Sequence, residues 1–138
     1  NVKAWILMLL ALSMPVVALA EEGGGEKDDP NKVSYVALTP PFVGNYALDG
    51  GPKLHVYKAD VALRVKGAEA QKLVKQNEPL IRNQLVALFT QQTIDSMSNV
   101  DAKEKLRQEA LKQTQQVLSQ ETGQPVVEDL LFNNFIAQ

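Results

Sequence analysis

From Tyr57 to Lys66 the side chains alternate: Tyr57, Ala59, Val61, Leu63 and Val65 are apolar, and Lys58, Asp60, Arg64 and Lys66 stand between them. A period of two is the signature of a strand with one buried and one wet face. Such a strand needs neighbours in a sheet and a layer of helices over its apolar row. The rest of the chain has to supply both.

Upstream, Lys32 to Leu38 is apolar and β-branched, and Thr39-Pro40-Pro41 is expected to stop it. Phe42 to Leu48 then reads as a second short extended piece. Asp49-Gly50-Gly51-Pro52 is a turn, because glycine accepts positive φ and proline resists continued pairing. Downstream, Ala68 to Gln76 is rich in helix formers. Asn77-Glu78-Pro79 reads as a helix start, with Asn77 as N-cap. The spacing that leaves open whether 68–92 is one kinked helix or two nevertheless puts Ile81, Leu85, Leu88 and Phe89 on one stripe. Ser98 and Asp101 mark a further helix start, and Ala102, Leu106, Ala110, Val117 and Leu118 its buried side. Gly123 and Pro125 end it. In Val126 to Gln138, one parity holds Val126, Leu130, Phe132 and Ile136 and the other Val127, Leu131 and Phe135, so the strand is expected to be apolar on both faces. It is expected to pair with the 57–65 strand and to set Phe132 and Ile136 against the helix of Leu85 and Phe89. The order β-β-β-α-α-β predicts an α+β single domain, an antiparallel-rich sheet packed against two or three helices.

The first twenty residues differ from the rest. Lys3 precedes an apolar run, Trp5 to Met14, and Ala18-Leu19-Ala20 closes it with small residues at alternate positions. This pattern predicts a signal peptide cleaved before Glu21. The alternative is a short membrane anchor, although Ala4 to Ala20 contains a proline and falls short of the ~20 apolar residues that span a bilayer. In either case the remainder is expected on the far side of the membrane. Residues 21–31 form an acidic, Gly-rich tether, and 32–138 the folded domain. From Glu21 to Asp29 there are five acidic residues and one lysine; the chain from Pro30 onward is nearly neutral, which excludes a nucleic-acid-binding stripe. There are no cysteines, so disulfides, thiolate metal sites and cysteine nucleophiles are excluded.

No catalytic constellation stands out. His55 is the only histidine, which leaves neither a metal cluster nor an independent triad. Asp60, Glu78 and Asp95 form no recognisable acid/base pair, and Ser34, Ser96, Ser98 and Ser119 lack a nucleophile elbow. Gly23-Gly24-Gly25 precedes acidic residues and is no phosphate loop. No catalytic, cofactor or metal residues are assigned, and no enzyme is expected. The glutamines Gln108, Gln113, Gln115, Gln116 and Gln120 on the last helix form either a solvated face or a face for a neighbouring subunit.

Five motifs in order resemble the FliL family of flagellar basal-body-associated proteins. They are Thr39-Pro40-Pro41-Phe42-Val43-Gly44-Asn45, the alternating strand from Lys53 to Lys66, Pro79-Leu80-Ile81-Arg82-Asn83, Leu106-Arg107-Gln108-Glu109, and Phe132-Asn133-Asn134-Phe135-Ile136-Ala137-Gln138. The resemblance runs from about Val33 to Gln138, and it makes Pro41, Phe42, Asn45, Pro79, Ile81, Arg82, Leu106, Arg107, Phe132, Phe135 and Gln138 family-motif positions. It implies a stomatin/SPFH-like fold, a place in the periplasm at the inner membrane and basal body, and a ring of copies around flagellar stator proteins of the MotA/MotB type in motility. Family members usually keep a longer transmembrane helix, so the signal-peptide-like start points to a divergent paralogue. Val127, Leu131 and Phe135, with Gln113 and Gln116, are the candidate contacts with other copies or partners. The alternative is a general periplasmic scaffold or binding module of the same fold.

Overall fold

The computed structural model describes residues 30–138; the expected signal peptide or anchor and tether residues 21–29 lie outside them. Three strands form one antiparallel sheet in the order β1-β2-β3: β1 is Val33–Tyr46, β2 His55–Lys66 and β3 Val127–Ala137. Between β2 and β3 lie three helices, α1 (Ala68–Gln76), α2 (Glu78–Thr90) and α3 (Val100–Thr122), with a 3-10 turn at Asp95–Met97. The fold is therefore α+β, a single domain, with the order β-β-α-α-α-β.

The alternating strand behaves as its pattern requires. Tyr57, Ala59, Val61, Leu63 and Val65 are all buried. They share one core with Val74 of α1, Ile81, Leu85, Leu88 and Phe89 of α2, and Leu106, Ala110 and Leu118 of α3. The opposite row, with Lys58, Asp60, Arg64 and Lys66, lies on the face that the described helices leave open.

The prolines do not stop the first strand. The register passes from Leu38 opposite Val61 to Phe42 opposite Ala59, so two extra residues bulge out around the cis Thr39–Pro40 bond. This is possible because β1 is an edge strand, where prolines that cannot donate to a ladder are tolerated at a bulge. The two expected short strands are thus one.

The C-terminal strand carries a second correction. Opposite the buried row of β2 stand Val127, Leu130, Phe132, Phe135 and Ala137, with register shifts after Val127 and after Phe132. Each bulge adds a residue and reverses the parity of the residues beyond it. Val127 and Phe135, expected on a second apolar face, therefore join Leu130 and Phe132 on the helix-covered face. Ile136 points the other way and is exposed. Pairing of β3 with β2 is as expected, but the two apolar faces are one.

The helix boundaries obey local chemistry. Residues 68–92 form two helices that meet at Asn77. Its side chain makes no N-cap bond and instead donates to the Leu73 carbonyl of α1 at 2.9 Å. The cap of α3 is Asn99, whose Oδ1 accepts from the Ala102 amide at 2.8 Å, one residue after the expected Ser98. Gly123 ends α3 at φ 87°, in the left-handed region that glycine enters without a Cβ penalty. Thr114 takes the buried place between Ala110 and Leu118 by bonding the Ala110 carbonyl, which satisfies its hydroxyl inside the helix.

Candidate interaction surface

An aromatic cluster sits where the sheet meets α2. Phe89 is fully buried at its centre, with ring centroids 5.6 Å from Phe42, 5.4 Å from Tyr57, 6.1 Å from Phe132 and 6.2 Å from Phe135. Phe132 and Phe135 lie 4.8 Å apart. Edge-to-face and tilted contacts of this kind suit the ring quadrupole. Gly44 allows the cluster to close, because a Cβ there would stand 3.0 Å from the Tyr57 ring and hydroxyl. Burial pushes the Tyr57 hydroxyl above its ordinary pKa, and the charge of Arg82 opposes this.

Two cations cap the cluster. The Arg82 guanidinium lies 4.2 Å from the Phe42 centroid, on the β1 side. On the β3 side, Lys103 lies 5.5 Å from the Phe135 centroid. There a groove of about 460 Å³ runs between the start of α3 and β3, lined by Val100, Lys103, Arg107, Leu131, Phe132 and Phe135. Arg107 closes its floor. It bonds Glu104 at 2.6 Å, Asp129 at 2.8 Å and the Leu130 carbonyl at 2.9 Å, and so ties α3 to the edge strand. The hydrogen bond from Arg107 holds the Glu104 carboxyl below the usual carboxylate range, and the Glu104 bond in turn raises the already high Arg107 pKa.

A second knot fixes the far end of the sheet. Val56 and Gln138 exchange main-chain hydrogen bonds at 3.2 and 2.9 Å, and the Tyr46 hydroxyl donates to the Gln138 main-chain oxygen at 3.3 Å. His55 Nδ1 lies 3.3 Å from the same oxygen, and Asn45 donates to the His55 carbonyl at 3.2 Å. His55 thus serves this junction.

The motif positions therefore divide by role. Phe42, Ile81, Leu106, Phe132 and Phe135 build the core, Arg107 brackets α3 to β3, and Asn45 and Gln138 close the sheet end. Pro41 lies exposed on the β1 bulge and Pro79 in the first turn of α2. Of the five candidate contact residues, Val127 is 2% exposed and Phe135 packs in the aromatic cluster, which leaves Leu131 half-buried at the sheet edge. Gln113 accepts from Gln84 of α2 and donates to Glu109, both at 2.8 Å, so it joins two helices of the same copy. Gln116 is exposed. Arg82, one helical turn before the exposed Val86, marks a further patch on α2. Apolar residues at 127, 130, 131, 132, 135, 136 and 137 occupy both parities, so the covered face of β3 follows from its two bulges and not from the sequence pattern.

Among the described residues, no three His, Cys, Asp or Glu side chains come together as a metal site, and no helix is long and apolar enough to cross a membrane. What the geometry offers is packing, edges and side-chain donors.

Comparison with known proteins gives two findings. The family described as "Flagellar basal body-associated protein FliL" matches residues 35–138. A "Flagellar protein FliL" of Aquifex aeolicus (strain VF5) is 29% identical over 102 residues, which cover 73% of this chain and 59% of the relative. The chain thus spans about three fifths of the length of the curated relative it matches.

Proposed function

The chain belongs to the FliL family of flagellar basal body-associated proteins, and from that premise we propose that it is a non-enzymatic subunit supporting the stator units of the flagellar motor. In this reading the domain stands in the periplasm at the inner membrane, and copies assemble around stator proteins of the MotA/MotB type. The stomatin/SPFH likeness of the fold is part of the same proposal. The observation that carries it is the family match across 35–138, which takes in nearly the whole described domain. The motif residues support an architectural role, since most of them pack the core or tie elements together. A subunit of this kind needs only modest affinity between copies, because confinement at a membrane raises their effective concentration.

The test is crosslinking of the tagged protein in swimming cells, with the attached proteins identified by mass spectrometry. Stator proteins and further copies of the chain are the expected products, and deletion is expected to weaken swimming in viscous medium. Crosslinks to periplasmic proteins unrelated to the flagellum, with normal swimming under load, would replace this reading by that of a general scaffold.

A further inference from the structure

The outer edge of β3 is closed in its first half and open in its second. Near the start, Gln115 donates to the Val127 carbonyl at 2.8 Å and Arg107 to the Leu130 carbonyl at 2.9 Å, and the Leu130 amide bonds Asp129 Oδ1 at 2.8 Å. From Leu131 to Ala137 no side chain among the described residues reaches the main chain. Natural sheets keep exposed edges from pairing with charges, prolines and bulges. The β1 edge follows this rule, with Pro40 and Pro41 at its bulge. In β3 the stretch from Leu130 to Gln138 has no proline, glycine or charged residue.

The ladder fixes which main-chain groups face outward. Val56 and Gln138 exchange both of their hydrogen bonds. In an antiparallel pair such residues alternate with ones that turn both groups away, so Ala137 and Phe135 turn theirs away from β2. The Leu130 amide and carbonyl also point away, toward Asp129 and Arg107. Phe132 follows it in unbroken register and does the same. The shift in register falls between Phe132 and Asn134. It leaves both phenylalanines with their rings on the helix-covered face and their main-chain groups on the open edge, while Leu131 and Ile136 face the other side of the sheet.

This edge is complementary to itself. Leu131 to Ile136 reads Leu-Phe-Asn-Asn-Phe-Ile, nearly the same in both directions. Two such edges, laid antiparallel about a two-fold axis between Asn133 and Asn134, set Phe132 opposite Phe135, Leu131 opposite Ile136 and Asn133 opposite Asn134. The phenylalanines then meet on the covered face and the aliphatic pair on the open one. Each Phe132–Phe135 pair also brings together residues that can exchange both main-chain bonds. The two rings are only partly buried within one copy, and the groove they line with Val100 and Lys103 opens beside them. Cross-strand aromatic pairs are among the contacts that stabilise a sheet.

We propose that residues 131–136 are a pairing edge for a second copy of this chain, which joins the two sheets into one. In a two-fold contact residue i meets j while j meets i, and the near-palindrome meets that condition in side chain, face and main-chain direction together. The contact closes at two copies, so the remaining surface stays available to a larger array. This pairing does not depend on the flagellar reading.

The experiment uses the full chain. Sedimentation velocity over a concentration series is expected to show a monomer–dimer equilibrium for the wild type. Asn133→Lys combined with Asn134→Lys sets like charges opposite each other at the axis and is expected to weaken dimerisation about tenfold or more. Both side chains are exposed, and melting curves verify that the variant folds. Asn133→Asp combined with Asn134→Asp is expected to weaken it likewise, and an equal mixture of the two double variants to dimerise again. Hydrogen exchange of the wild type needs no variant: the Phe132 and Phe135 amides are expected to exchange more slowly as concentration rises. A wild type that stays monomeric throughout overturns the pairing and leaves the motor reading to its own crosslinking test. Association that both double variants retain, or that leaves the Phe132 and Phe135 amides unprotected, runs through another surface and also overturns it. A photoreactive group at position 134 that captures only a different protein in cells overturns the second copy as the partner.

Discussion

Single side chains hold this domain at few points. Phe89 touches four other aromatic rings and is fully buried. Phe89→Ala is therefore expected to cost about 3–5 kcal/mol, the range for removing a buried aromatic, measured as a fall in the denaturation midpoint. A midpoint within experimental error of the wild type would place Phe89 outside the core. Glu104 offers a test in pH. Its carboxyl is held below the ordinary range by Arg107, so its contribution is present above the unfolded-state pKa and is lost as pH falls through the lowered one. Relative to Glu104→Gln, the wild type is expected to melt higher at neutral pH, with the gap closing on acidification. Tyr57 runs the other way. Its raised hydroxyl pKa favours the neutral form in the folded state, so stability is expected to fall as pH rises above the unfolded tyrosine value. Absorbance at ~295 nm would report this ionisation, which belongs near pH 10 in an unperturbed tyrosine.

The two edge strands show how the bulges decide which side chains face the core. Phe135→Glu is expected to lower the melting temperature strongly, since it places a charge beside Phe89 and Phe132. Ile136→Glu, one residue on but on the open face, is expected to change stability by no more than about 0.5 kcal/mol. Equal effects of the two would contradict the register of β3. In the sequence β2 and the α2 stripe are legible because their periods run unbroken. β1 and β3 stay partly hidden there, since a bulge spends a residue without altering composition, and strict alternation then counts the wrong face. The same limit applies to the candidate contacts. Parity puts Val127 and Phe135 on an open face, and they lie under the helices. Arg82 stands out in the sequence only as a motif residue, because stacking on Phe42 joins positions forty residues apart. Asn77 is legible as helix punctuation, but which terminus it bonds depends on how α1 and α2 meet.

On the scale of the whole domain, the chain comes in at Pro30, beside Gly67, where a Cβ on that glycine would stand 3.1 Å from the Pro30 carbonyl. Gln138 lies at the opposite end of the sheet, paired with Val56. β1 and β3 run in the same direction with β2 between them, so a pull between positions 30 and 138 acts along the strands. Ladder hydrogen bonds lie across that direction. They would be sheared together instead of parting one after another, and the domain would be stiff along this axis. Tension applied between positions 33 and 66, which sit opposite each other at one end of the β1–β2 pair, would open the ladder like a zipper. Single-molecule pulling is expected to give a clearly higher rupture force for 30 and 138 than for 33 and 66. A three-stranded sheet held at positions 30 and 138 would in this way carry load along its length while yielding readily across it.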